Sequence, residues 1–208
     1  MNRRAHALHF AWGHKTPQIE RKLIDIVPWV HQAGRPFFDI FLDGADPEDV
    51  LNRWLQRRSS ELSLHRTRLL IHDDRIAGGY ISLAGRDLPA ARQADLLDLA
   101  REMTDLTYAD LRDRMEDLKD LFAPVEDNDF YLSKLGLLPS IDHPGLHQHL
   151  LDDCMRRAHQ GSFRRVRVDV AEHHSDLREL YSSYGFQAVY RGKSPVSDLR
   201  YLAMICDL

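Results

Sequence analysis

Chemistry can reside first in the stretch Leu137 to His147, where an apolar run ends at Pro139 and a loop carrying Asp142, His143 and Gly145 opens a helical period at Leu146. A strand feeding a tight loop and then a helix suits a phosphate. The first backbone N–H groups of the helix have no internal partner, and the helix dipole adds partial positive charge there. Gly145 lets the backbone approach a pyrophosphate closely, whereas Pro144 removes one N–H donor from the loop. His143 and His147 can serve as hydrogen-bond donors or partial cations, since imidazole titrates near neutral pH. His143, His147 and His149 are also spaced like metal ligands, but residues two apart on a helix do not face each other, so no metal is expected. Further on, Asp129 and Tyr131 fall on one face of a strand by the period-two rule. A carboxylate such as Asp129 can accept a proton directly or through water.

These residues need elements to position them, and local signals delimit most of the elements. Ala7 to Trp12 is a short apolar strand, and Thr16-Pro17 starts a helix through Ile19, Leu23 and Ile26 whose end Pro28 leaves undefined. Phe37 to Leu42 suits a strand or a helical turn. Asp46, Pro47 and the acidic pair Glu48-Asp49 mark a second helix start. Thr67–His72 and Ile76–Ala84 form a hairpin around Asp73-Asp74-Arg75, with Gly78-Gly79 marking a bulge or close backbone approach. Helical spacing then runs from about 88 to 122, with Leu111, Met115, Leu118 and Phe122 on one face and a Thr107/Asp110 cap. A strand from Phe130 to Leu138 precedes a helix with Leu146, Leu150, Cys154 and Ala158 buried, stopped by Gly161. Arg165 to Val170 alternates as a half-buried strand. Ser175 caps a short helix carrying Leu177, Leu180, Tyr181 and Tyr184, and two strands, Phe186–Tyr190 and Leu199–Cys206, finish the chain.

Composition narrows the function classes. The 208 residues suit one domain with a real hydrophobic core, at 43% hydrophobic and 29% charged residues. With 28 basic against 32 acidic residues there is no basic excess of the kind nucleic-acid binding needs. No apolar run approaches the ~20 residues of a membrane span, so neither nucleic acid nor membrane is an expected partner. The start lacks the apolar core of a secretory signal. Two cysteines, Cys154 and Cys206, make no disulfide framework or metal motif, and a cytoplasmic protein with reduced thiols is expected.

The spacing of the two C-terminal segments carries a family resemblance. Leu137-Leu138-Pro139-Ser140-Ile141-Asp142-His143-Pro144-Gly145-Leu146-His147 resembles the GNAT acetyltransferase signature V-x-P-x-x-R-G-x-G-I-G. His174 through Leu177, Leu180-Tyr181, Gly185 and Phe186 resembles that family's N-x-x-A-x-x-L-Y-x-x-x-G-F. The likeness is close from Asp129 to Leu208, looser over the hairpin and schematic before residue 60. Three departures are Asp142, His147 and His174, where the family has Gln or Arg, Gly or Ala, and Asn. An aspartate beside a pyrophosphate is electrostatically unfavourable unless it turns away or pairs with a neighbour.

The resemblance implies an α/β (α+β) fold over residues 1–208, a mixed and mostly antiparallel sheet with helices on both faces and a helical insertion, about 88–122, between the third and fourth strands. It implies an acetyl-CoA-dependent N-acetyltransferase that moves an acetyl group directly to a primary amine of a small molecule or peptide, and it admits a homodimer. Tyr181 aligns with the family's general acid, and Asp129 is the candidate base. Leu135 and Leu137 would meet the pantetheine on a splayed strand. Asp142, His143, Gly145, Leu146, His147 and His174 would line the cofactor site with Tyr181. Arg164, Arg165 and Arg167 would meet the 3′-phosphate of CoA or solvate a strand end, the second being favoured. Two other readings stay open: a non-catalytic module of this fold that binds CoA or a partner, and an interaction protein using the helical insertion.

Overall fold

A computed structural model of the chain describes residues 8–102, 107–141, 145–195 and 197–208. Seven strands form one sheet: β1 (Leu8–Trp12), β2 (Thr67–His72), β3 (Arg75–Ala84), β4 (Asp129–Leu137), β5 (Arg165–Ala171), β6 (Gln187–Lys193) and β7 (Arg200–Asp207). Their spatial order is β1-β2-β3-β4-β5-β7-β6, and every neighbouring pair is antiparallel except β4 and β5. The helices are α1 (Ile19–Gly34), α2 (Phe37–Phe41), α3 (Pro47–Gln56), α4 (Leu88–Glu102), α5 (Tyr108–Asp117), α6 (Leu146–Gln160) and α7 (Ser175–Ser183). Between β3 and β4 the chain runs through α4, α5 and a short 3-10 turn, Lys119–Leu121.

Local chemistry explains most boundaries. Asp46 caps α3 by accepting from the Glu48 N–H at 2.9 Å, with Pro47 at the first helical position. Thr107 and Asp110 form a reciprocal capping box on α5. The β2–β3 hairpin turns on Asp73 and Asp74, both in the left-handed region, where aspartate is among the better tolerated non-glycine residues. Helix α1 does not stop at Pro28; it continues to Gly34 because Ile26, Trp29 and Val30 are fully buried and anchor both sides of the proline. Phe37 to Phe41 is helical rather than extended. At α7 the capping position falls to His174, while the Ser175 hydroxyl bonds to Asp176 instead of a backbone N–H.

The sheet separates two cores, as alternation along the strands requires. Leu69, Ile71, Ile76 and Ile81 face α1 to α5, together with Leu51, Leu55, Leu99 and Leu111. Leu70, Tyr80, Leu132 and Val168 face the other way, onto Leu150, Leu151 and Cys154 of α6 and Tyr181 of α7. Each fully buried leucine or isoleucine contributes roughly 1.5–3 kcal/mol over its exposed state. Two glycines let β3 carry this packing: a Cβ on Gly78 would run into the Gly136 carbonyl oxygen and lie 2.7 Å from Leu137 Cα, and one on Gly79 would run into the Arg68 carbonyl oxygen.

Candidate active site

The parallel pair β4–β5 opens partway along its length. Asp129 to Leu132 pair with Arg165 to Val168, and no pairing joins the two strands beyond that point. The strands go on separately, β4 to Leu137 and β5 to Ala171, so the edge of β4 that faces β5 is left open. A cleft of about 690 Å³ fills the gap, bounded by Ser133–Leu137 on one wall and Asp169–Ala171 on the other. Its volume lies within the usual range for a small-molecule site. Gly145 stands at the cleft's edge with φ +90°, immediately before the fifteen-residue helix α6, whose capping position makes no side-chain hydrogen bond. The first N–H groups of α6 therefore remain available to an anion.

A second, smaller cavity of about 100 Å³ adjoins the first, and Ser133, Lys134 and Asp169 line both. A bulge creates the junction. Leu132 pairs with Ser82 and Lys134 with Ile81, so Ser133 is an extra residue in β4. Two consecutive side chains, Ser133 and Lys134, consequently reach the same cavity. Ser133 Oγ donates to Glu61 Oε1, and Lys134 Nζ lies 3.3 Å from Ser133 Oγ. Arg92 of α4 donates to Glu61 Oε2 at 2.9 Å and to the Tyr131 hydroxyl at 3.2 Å. Tyr131 in turn donates to Asp169 Oδ2 at 3.0 Å, and Arg167 holds Asp169 Oδ1 at 2.6 Å.

This network sets the charges. Burial alone would raise Glu61, but Arg92, Lys134 and the Ser133 hydroxyl outweigh it and hold the carboxyl at about 2. Burial, reinforced by the Arg92 charge, lowers Lys134 below the usual lysine value despite Glu61. Asp95 of α4, which accepts from the Glu61 N–H at 3.0 Å, is pushed up to about 7, mainly by burial.

Of the residues singled out from sequence, Leu135, Leu137, Gly145, His147, His174 and Tyr181 line the large cleft. Tyr181 is buried, and burial together with the nearby Cys154 thiol raises its hydroxyl, so it stays protonated. His147 and His174 are both lowered, each chiefly by burial, so they offer neutral N–H donors rather than partial cations. The Leu146 side chain is buried in the α6 core and does not line the cleft, which leaves its N–H, the first of α6, as the group it can offer. Asp142 and His143 lie outside the described residues, as does Pro144.

Asp129 is the larger correction. It sits in the paired half of β4, lines neither cavity, and is 1% exposed. Its oxygens accept from Arg165 Nε at 2.6 Å and Nη2 at 3.3 Å, and from the Glu126 N–H at 2.9 Å. A carboxylate held this way anchors a strand end and is not aimed at a substrate. Arg165 and Arg167 are likewise structural ion-pair partners and do not merely solvate the strand. Sequence reasoning missed Glu61, Arg92, Ser133 and Lys134. Glu61, Ser133 and Lys134 carry no local signal, and Arg92 belongs to a charged stretch of α4 whose packing only the fold shows.

No family model matches the chain, and no curated protein matches it in sequence. Solved structures do match in fold. An N-acetyltransferase from Staphylococcus aureus superposes with a TM-score of 0.65 at 15% identity, covering 90% of this chain and 96% of that one. A Desulfovibrio desulfuricans protein proposed to be a GNAT-family acetyltransferase gives 0.58 at 12% identity over 98% and 99% of the two chains. The PaiA N-acetyltransferase of Thermoplasma acidophilum, solved in complex with coenzyme A, gives 0.54 at 11% identity over 97% and 99%. The mixed seven-stranded sheet, its single parallel pair and the opening between those strands are the architecture of the GNAT fold, and this chain has that fold.

Proposed function

We propose that the chain is an acetyl-CoA-dependent N-acetyltransferase that transfers an acetyl group directly to a primary amine. The observation that carries this reading is the meeting of two cavities at the Ser133–Lys134 bulge. One is a cleft between splayed strands; the other is a smaller, polar-floored pocket that shares Ser133, Lys134 and Asp169 with it. A donor thioester in the first and an amine in the second would come together at β4.

The cleft suits coenzyme A on its own geometry. The unpaired edge of β4 offers backbone groups to an amide-bearing arm, and Gly145 with the α6 N-terminus offers N–H groups to a pyrophosphate. Bound acetyl-CoA supplies the acyl group as an activated thioester. Tyr181, kept protonated by its burial, is the proton donor for the leaving sulfur. Lys134, with its lowered affinity for a proton, takes the proton released by the amine. Ser133 and Glu61 orient it through one continuous hydrogen-bond chain. Asp129 has no part in the proton transfers.

Calorimetric titration with acetyl-CoA, run beside Gly145→Trp, tests the donor site, and thiol release on mixing with amines tests transfer. Wild type should bind and Gly145→Trp should not. Tyr181→Phe and Lys134→Met should each retain binding while kcat drops about 100-fold, the lower end of what one general acid or base contributes. Absence of binding to wild type would overturn the reading.

A further inference from the structure

The smaller cavity restricts which amine can enter. Its wall is aromatic, formed by Phe37, Phe38, Phe41, Trp54, Phe122 and Tyr201. The rings brace one another: Phe37 stacks on Phe41 at 5.3 Å, and Phe122 meets Phe37 and Tyr201 edge-on at 5.4 and 5.0 Å. Such a wall is pre-organised for a flat or compact apolar group. Its space of about 100 Å³ is of the order of a cavity that holds a benzene ring.

The charges point the same way. Glu61 is paired to Arg92 and Ser133, and Asp169 is paired to Arg167 and Tyr131. Asp95, the third carboxyl of the cavity, accepts from the Glu61 N–H. Of the cavity's carboxyls, Asp95 alone has no cationic partner among the described residues; burial drives it toward its neutral form, and Arg92 repels a second ammonium group.

Resting on the transferase reading above, we propose that the acceptor is a small primary monoamine with an uncharged, ring-sized apolar body.

The test is thiol release by the wild-type protein with acetyl-CoA and four amines: furfurylamine, benzylamine, 1,4-diaminobutane and trialanine. Both ring amines should exceed the diamine and the peptide by about 10-fold or more in kcat/KM, within what a shaped apolar pocket delivers. If the diamine or peptide matches the ring amines, or if none of the four is acetylated although acetyl-CoA binds by calorimetry, this inference fails and the cofactor site stands. If acetyl-CoA itself does not bind, the transferase reading fails and takes this inference with it.

Discussion

Asp129 and Tyr181 are both buried, yet their surroundings differ in kind. Asp129 has its oxygens filled by Arg165 and the Glu126 N–H, whereas Tyr181 borders an open cleft. Removing one partner from a buried pair leaves the other charge uncompensated, which costs about 3–5 kcal/mol when both are fully buried. Arg165 keeps some solvent contact and Glu126 as a second partner, so the lower end applies. Asp129→Ala should therefore lose about 3 kcal/mol in urea denaturation while kcat, measured where the variant remains folded, stays within about twofold of wild type. Tyr181→Phe should do the reverse. A large fall in kcat for a folded Asp129→Ala would return that residue to the chemistry.

At the scale of elements, β4 is the part on which the site depends. Its first half pairs with β5, its second half borders the cleft, and the Ser133 bulge lies between. The register of its far end rests on a close approach to β3 that only glycine permits at Gly78, where a Cβ would meet the Gly136 carbonyl and Leu137 Cα. These are backbone atoms and cannot rotate away. Gly78→Ala should destabilise by about 1–3 kcal/mol, as overpacking does. It should also raise the KM for acetyl-CoA, because the displaced residues, Gly136 and Leu137, form the cleft wall. Unchanged denaturation and unchanged KM would mean that β3 and β4 can part at no cost.

For the whole molecule, Asp95 and Glu61 tie α4 to the segment between α3 and β2, and they give stability opposite pH dependences. Glu61 is held at about 2, below its ordinary 4.5, so its contribution is present above about pH 4.5 and lost as pH falls toward 2. Asp95 is raised to about 7 from 3.8, so the folded chain keeps a proton that the unfolded chain has released. The stability due to protonated Asp95 is fully present below about pH 4 and is lost as pH rises through about 7. Between pH 5 and 7 only Asp95 of these two contributes a slope, at most about 1.4 kcal/mol per pH unit. Asp95→Asn, which preserves an acceptor for the Glu61 N–H, should flatten that slope in denaturation at pH 5.5 and 7.5. An undiminished slope would assign it to another group.

The order and type of most elements are legible in the amino-acid sequence, because caps, turns and periodicity are local effects. Asp46-Pro47 and the Thr107/Asp110 box start helices as their residue types require. Gly145 and Gly185 take the left-handed conformations their positions demand. The two C-terminal segments carry a GNAT-like spacing because a strand, a connecting loop and a helix are each written in consecutive residues. The polar floor of the smaller cavity is a different matter. Glu61 meets Arg92 across 31 residues and Ser133 across 72, and Asp129 meets Arg165 across 36. Which charges pair depends on how strands register and which helix lies over them, and no local pattern encodes that. The Ser133 bulge exists only as an offset between β3 and β4. So Asp129, a carboxylate on the expected strand, reads as a base until the fold gives it an arginine. Lys134 reaches the cavity only through the offset between β3 and β4.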